Sequence, residues 1–292
     1  MTDRALEVLE PGLLTLVEDL GRPGWAHIGV GRSGAADAGA LRLANRLVAN
    51  DEGAAGLEVL LGGLRVRAVG DVTVALAGAR GPAWLDDRPV GHEAVLELRS
   101  GTELRLGTVT SGLRTYVAVR GGIDVPTVLG SRSTDQLAAL GPGPVRAGDV
   151  LPVGAAPVGW PVVDLAPVAA PPDRVELPVV PGPHADWFED VLARLQAGEW
   201  HVTPSTNRVA VRLTGPALAR TPDATGRELP SEGLVLGAVQ VPPDGQPVVF
   251  GVDHPVTGGY PVVAVVRRYA HGRLAQVRPG DRVSFVHGLA SV

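Results

Sequence analysis

The chain contains no cysteine and no lysine. Without cysteine it has no disulfide, no thiolate nucleophile and no cysteine-bound zinc. Without lysine it offers no amino group for covalent biotin, no Schiff base and no phosphate-binding lysine of the P-loop kind. All 26 basic residues are arginine. No long run of one charge sign occurs, and the net charge is -5, so there is no electrostatic footprint for nucleic acid or an anionic membrane. No apolar stretch approaches the roughly 20 residues that span a bilayer. Residues 1–10 carry charges where a signal peptide needs an apolar centre. A cytoplasmic location is therefore expected, and the absence of cysteine fits a reducing compartment.

Familiar catalytic patterns are missing as well. No dinucleotide-type glycine turn opens a helix after a strand, and there is no Walker A loop and no Gly-x-Ser-x-Gly elbow. The seven histidines are scattered without metal-ligand spacing, so no metal site is expected.

What is present is an apolar chain cut into short pieces. Hydrophobic residues make up 45%, punctuated by 39 glycines and 26 prolines. Short Val- and Leu-rich runs at 72–77, 94–98, 102–106 and 115–119 read as strands, as do 209–213, 238–241, 247–252 and 262–266. Two segments have helical periodicity. Residues 38–49 align Leu41, Ala44, Leu47 and Val48, and residues 185–196 align Phe188, Val191, Leu192 and Leu195 ahead of Gly198. A Pro/Ala-rich stretch, 152–173, reads as a linker. It separates an N-terminal β-barrel domain, 1–151, from a C-terminal one, 174–292. Both halves end alike: Arg146-Ala-Gly-Asp149 and Arg278-Pro-Gly-Asp281 each lead into an apolar run. The expected fold is mainly β, with two duplicated barrel-like domains that each carry a short helix.

Four segments concentrate polar and glycine residues. The first is Glu18-Asp19-Leu20-Gly21-Arg22-Pro23-Gly24-Trp25. The second is Ser33-Gly34-Ala35-Ala36-Asp37, where Asp37 is placed to cap the first helix. The third is Pro230-Ser231-Glu232-Gly233 followed by 237–245, and the fourth runs from Asp253 to Pro261. In the fourth, Asp253 and His254 offer a general base, and Thr257 and Tyr260 offer donors. Gly258 and Gly259 let the backbone approach a ligand. A polar β-turn would read the same way. Asp19 with Arg22 reads equally as a local ion pair, and Gln240 as a strand amide facing away from Val239 and Val241.

Together these segments resemble the allophanate hydrolase subunit 2 family, which includes the 5-oxoprolinase C subunits and KipA. The likeness continues through Leu43-Ala44-Asn45-Arg46, Arg120-Gly121-Gly122-Ile123-Asp124 and Leu129-Gly130-Ser131-Arg132-Ser133-Thr134. In the second half it runs through Pro181-Gly182-Pro183, Ser231-Glu232-Gly233, Gln240-Val241-Pro242-Pro243-Asp244-Gly245 and Thr257-Gly258-Gly259-Tyr260-Pro261. It departs at Val262, where many members carry lysine, and at Ser205-Thr206-Asn207-Arg208-Val209-Ala210, where many read Ser-Asp-Arg-Met-Gly. The resemblance implies two cyclophilin-like β-barrels working with a B subunit of KipI type and an A subunit of LamB/YcsF type. It implies ATP-dependent opening of 5-oxoproline to glutamate by an assembly in which this chain alone is inactive. ATP would be used in the assembled complex. Two other roles go with the family: a urea carboxylase-type carboxyltransferase, which would need biotin on a separate carrier, and a KipA-like regulator binding a KipI-like kinase inhibitor. For a 5-oxoproline site the expectation is one cleft. Asp253 and His254 would be catalytic, with Asp19, Arg22, Gln240, Thr257, Gly258, Gly259 and Tyr260 binding substrate and Arg22 gripping its carboxylate.

Overall fold

A computed structural model describes residues 4–168 and 174–288. They form two compact units, 4–22 with 33–168 and 23–32 with 174–288. The division is therefore not a single cut in the sequence. Residues 23–32 leave the first half and count with the second unit, while 153–168 stay with the first.

The first unit closes its core between two sheets. One has six strands, in the order Val150–Pro152, Ala5–Pro11, Leu64–Val69, Glu103–Leu106, Ala83–Leu85 and Arg88–Val90. Its strands alternate: Leu64, Val66 and Ala68 are buried. Arg65 and Arg67 point outward into ion pairs of 2.7–3.1 Å with Glu7, Glu10 and Glu103. The second sheet has five strands, in the order Leu14–Glu18, Gly56–Leu60, Ser111–Val119, Val72–Arg80 and Val95–Leu98. It is buried on both faces. Val74, Leu76, Val117 and Val119 join the inter-sheet core. Ala75, Ala77, Tyr116 and Ala118 form the bed for helix α1, Ala38–Leu47. Small alanines let the helix settle close, and each large side chain it buries contributes about 1.5–3 kcal/mol. Asp37 caps α1 as expected, accepting from the Ala40 N–H at 3.0 Å. The fully buried Tyr116 hydroxyl ties this helix end to the sheet. It accepts from the Asp37 N–H at 2.7 Å and donates to Glu58 Oε2 at 2.7 Å. Burial, with Glu58 and Asp37 beside it, holds the Tyr116 phenol well above its ordinary pKa, so it remains the donor.

The second unit is a closed barrel. Its strand order is Val175–Pro181, Val262–Val266, Ala238–Gln240, Val248–Phe250, Ala210–Thr214, Trp200–Val202 and Arg282–His287, the last pairing parallel with the first. Trp200, Val239, Val263 and Phe285 fill its interior. Residues 185–196 are not one helix. A 3-10 turn, Ala185–Trp187, precedes helix α2, Val191–Ala197. Phe188 between them is extended and bridges to Arg220. A third short helix, α3 at His271–Ala275, carries no sequence pattern strong enough to announce it.

The similar endings prove to be the same structural device. In each, an Asp side chain accepts from an Arg N–H three residues back, Arg146 to Asp149 at 2.7 Å and Arg278 to Asp281 at 2.8 Å. Each turn then exchanges two backbone hydrogen bonds with a strand valine, Val8 in one unit and Val202 in the other. Of the expected linker 152–173, Pro152 ends the strand Val150–Pro152, and 153–168 lie along the first unit without a helix or extended strand, making only isolated bridges at Val153 and Leu165. Residues 169–173 lie outside the described residues. The strap is fastened by the buried Arg120, which donates to Pro157 O at 2.6 Å and to Gly159 O, and stacks 4.7 Å from the Trp160 ring centre.

Candidate functional site

Asp19 and Arg22 lie in the first unit and face inward. Asp19 Oδ1 accepts from the Gly21 N–H and from the Ser131 and Ser133 hydroxyls, and Oδ2 from the Arg132 N–H, all at 2.6–2.7 Å. Arg22 is 1% exposed. It donates to Ser133 O and to Val128 O, and lies 3.7 Å from Asp135. These contacts hold Arg22 within the first unit, and its expected carboxylate-gripping role stays a proposal. Asp19, Gly21 and Arg22 thus form one polar knot with residues 128–135 of the first unit.

In the second unit Asp253 also turns inward. Arg208 Nε reaches Asp253 Oδ2 at 2.7 Å and Nη2 reaches Oδ1 at 3.1 Å, a buried bidentate pair. Asp253 therefore ties its loop to Arg208, and the water-positioning role expected of it stays a proposal. His254 is partly exposed. Its Nδ1 lies 2.8 Å from Pro255 O, and its ring meets Phe250 edge-on.

Gln240, Thr257, Gly258, Gly259 and Tyr260 lie on adjoining segments of the second unit. Gln240 faces away from Val239 and Val241, as the strand alternation predicts, yet it is buried at 3% exposure. Its Nε2 donates to Tyr260 O at 2.8 Å. The glycine at 258 makes this approach possible: a Cβ there would meet Gln240 Nε2 at 2.9 Å and Leu234 Cδ1 at 2.7 Å. Thr257–Gly258 pairs antiparallel with Glu232–Gly233, placing Glu232 opposite Gly258. Gly259 and Tyr260 then line a groove of about 650 Å³, completed by residues 218–220, 225–229 and Pro242–Pro243. Tyr260 is 47% exposed there.

The structure adds two residues that spacing alone did not single out as functional. His184 is buried, and its Nδ1 accepts from the Val262 N–H at 3.2 Å. That bond places the ring proton on Nε2, which lies 3.5 Å from Glu232 Oε2. A half-exposed carboxylate oriented by a histidine of fixed tautomer is a competent base. The sequence held half of this signal, because Glu232 lies in a quoted motif; nothing in it connects Glu232 to His184. The other is Arg227, whose guanidinium lies over Trp187 at 4.4 Å beside the groove. Among the described residues no cluster of His, Asp and Glu is arranged to hold a metal.

A family model for the carboxyltransferase domain, subdomain A and B, matches residues 28–287. The chain belongs to this family. Within it, the 5-oxoprolinase C subunit of Escherichia coli is 38% identical over 288 residues, covering 96% of this chain and 90% of that protein. The crystal structure of TTHA0988 superposes with a TM-score of 0.88 at 38% identity, over 98% of this chain and 56% of that one. The urea amidolyase of Kluyveromyces lactis superposes with a TM-score of 0.89 at 31% identity, over 97% of this chain and 18% of its own. This carboxyltransferase-domain chain thus spans about half of TTHA0988, a small part of the amidolyase and nearly all of the Escherichia coli protein. The mainly β architecture and the family resemblance expected from the sequence both hold. No described helix is long and apolar enough to cross a membrane.

Proposed function

We propose that this chain is the C subunit of an ATP-dependent 5-oxoprolinase, inactive alone and completed by a B subunit of KipI type and an A subunit of LamB/YcsF type. The observation that carries this reading is the near full-length match, in both directions, to the C subunit of a 5-oxoprolinase. The chemistry explains the need for ATP. A five-membered lactam is stable, and phosphoryl transfer to its carbonyl oxygen creates an electrophilic carbon. Water adds to that carbon and the ring C–N bond breaks as the nitrogen gains a proton, leaving an acyl phosphate of glutamate; a second water hydrolyses this acyl phosphate, releasing phosphate and glutamate. The chain has no P-loop lysine, so the nucleotide is assigned to the assembly. In this reading the Gln240-supported loop 257–260 borders the substrate, and Glu232, oriented by His184, positions the water.

A carboxyltransferase role is favoured by the likeness to urea amidolyase, but it requires a separate biotinylated carrier because this chain has no lysine. Co-expression with the B and A subunits tests both readings. The ternary assembly should co-elute and form glutamate from 5-oxoproline only with ATP, while the isolated chain forms none. Activity of the chain alone, or urea carboxylation with a biotin carrier and no 5-oxoproline turnover, would reject the proposal.

A further inference from the structure

We propose that the groove beside Tyr260 binds a small monocarboxylate, with the Arg227 guanidinium as its anion anchor. The choice of 5-oxoproline as ligand rests on the function proposed above; the ligand's chemical class rests on the groove alone.

The loop carrying Arg227 is built to hold its shape. Phe188 bridges to Arg220, and the Thr221 N–H donates to Trp187 O at 2.9 Å. Arg220 holds the loop through one nitrogen, Nη1 donating to Arg227 O at 2.8 Å and Ala224 O at 3.4 Å, and its guanidinium carbon lies 5.5 Å from the Trp187 ring centre. Arg227 is held differently. Its guanidinium carbon lies over the buried Trp187 ring, 4.4 Å from the centroid, and it makes no ion pair among the described residues. Stacking uses the face of a guanidinium and leaves its edge N–H groups available, which is the geometry that grips a carboxylate bidentately.

The rest of the groove defines what accompanies that carboxylate. Phe188, Leu218, Leu229 and Pro242–Pro243 give apolar walls suited to a flat ring. Tyr260, 47% exposed, lines the groove and carries a hydroxyl that donates or accepts. Glu228 lines the same groove. It accepts from a ligand N–H and repels a second carboxylate. The arrangement thus favours a monocarboxylate bearing an amide N–H over a dicarboxylate, which separates a lactam acid from its opened product. The volume, about 650 Å³, lies in the range of small-molecule sites and exceeds a single lactam ring. Space therefore remains for the group that activates the carbonyl.

The test is calorimetric titration of the full chain with L-5-oxoproline, benzoate and 2-pyrrolidinone, the last lacking the carboxylate. L-5-oxoproline should bind wild type and bind Arg227→Gln at least tenfold more weakly, with Arg227→Lys between them. 2-Pyrrolidinone should bind both proteins equally weakly. Ala219→Trp, which adds bulk to the groove lining and leaves Arg227 in the sequence, should also abolish binding. Equal affinities in wild type and R227Q, unchanged binding in A219W, or no carboxylate binding by wild type would each overturn the proposal. If benzoate binds in an Arg227-dependent way while the full assembly fails to turn over 5-oxoproline, the groove assignment stands and the 5-oxoprolinase reading falls.

Discussion

Asp253 and Glu232 are both acidic residues in family-like loops, and the structure gives them opposite surroundings. Asp253 is 1% exposed and engaged on both oxygens by Arg208. Glu232 is half exposed at its side chain and faces a histidine Nε2. Removing one partner of a buried ion pair leaves a desolvated charge behind, at about 3–5 kcal/mol. Asp253→Asn should therefore lower stability in denaturant unfolding by several kcal/mol. Glu232→Gln is nearly isosteric and part-solvated, so it should unfold like wild type. In the assembled enzyme, however, its kcat should fall at least about tenfold, equivalent to roughly 1.4 kcal/mol of transition-state stabilisation. A Glu232→Gln enzyme with wild-type kcat would remove Glu232 from the chemistry.

At the scale of the element, helix α2 ends at Gly198 for a reason the helix itself does not supply. Gly198 has φ -71°, so no left-handed conformation demands glycine. A Cβ at 198 would instead lie 2.8 Å from the Trp200 indole, which is fully buried, bonded through Nε1 to Leu195 O at 2.8 Å and set edge-on against Phe285. Gly198→Ala should cost about 1–3 kcal/mol through overpacking. Gly143→Ala, where a Cβ meets nothing within 4 Å, should change stability by less than about 0.5 kcal/mol. Equal unfolding midpoints for the two variants would refute the packing argument. The same distinction explains what was legible in the sequence. Strands such as Val72–Arg80 and Val262–Val266 are readable because local Val and Leu runs bounded by breakers determine them. Val175–Pro181 is hidden in the sequence by Pro178 and Pro181, yet it pairs with a strand on each side. The expected helix 185–196 fails at Phe188, whose bridge to Arg220 is invisible to any local window. The site divides likewise. The Gly258–Tyr260 loop is marked by its own glycines, whereas Arg22, Asp253, His184 and Arg227 take their roles from partners distant in sequence.

For the whole molecule, each unit carries one histidine whose burial couples folding to pH. In the first unit His92 Nε2 lies 3.0 Å from Gly81 O, while its buried Nδ1 has no partner among the described residues. In the second, His271 Nε2 lies 3.1 Å from Val266 O. Burial lowers the pKa of both below the ordinary histidine value. The negative charge of Glu93 and the Gly81 carbonyl oppose the shift at His92, whereas Arg80 adds to it; the Val266 carbonyl opposes it at His271, whereas Arg268 adds to it. A depressed folded-state pKa means that the unfolded chain binds protons first as pH falls. The stabilisation from these neutral imidazoles is therefore complete above the unfolded histidine pKa of about 6.5. It is lost progressively as pH drops from there through the lower folded-state values. Glutamine keeps an N–H donor for each carbonyl and cannot titrate. The double variant His92→Gln/His271→Gln should accordingly match the wild-type melting temperature most closely near pH 8 and gain on it steadily as pH is lowered from 7 to 5. Parallel melting curves across that range, with no convergence or crossing, would show that neither imidazole couples its protonation to the fold.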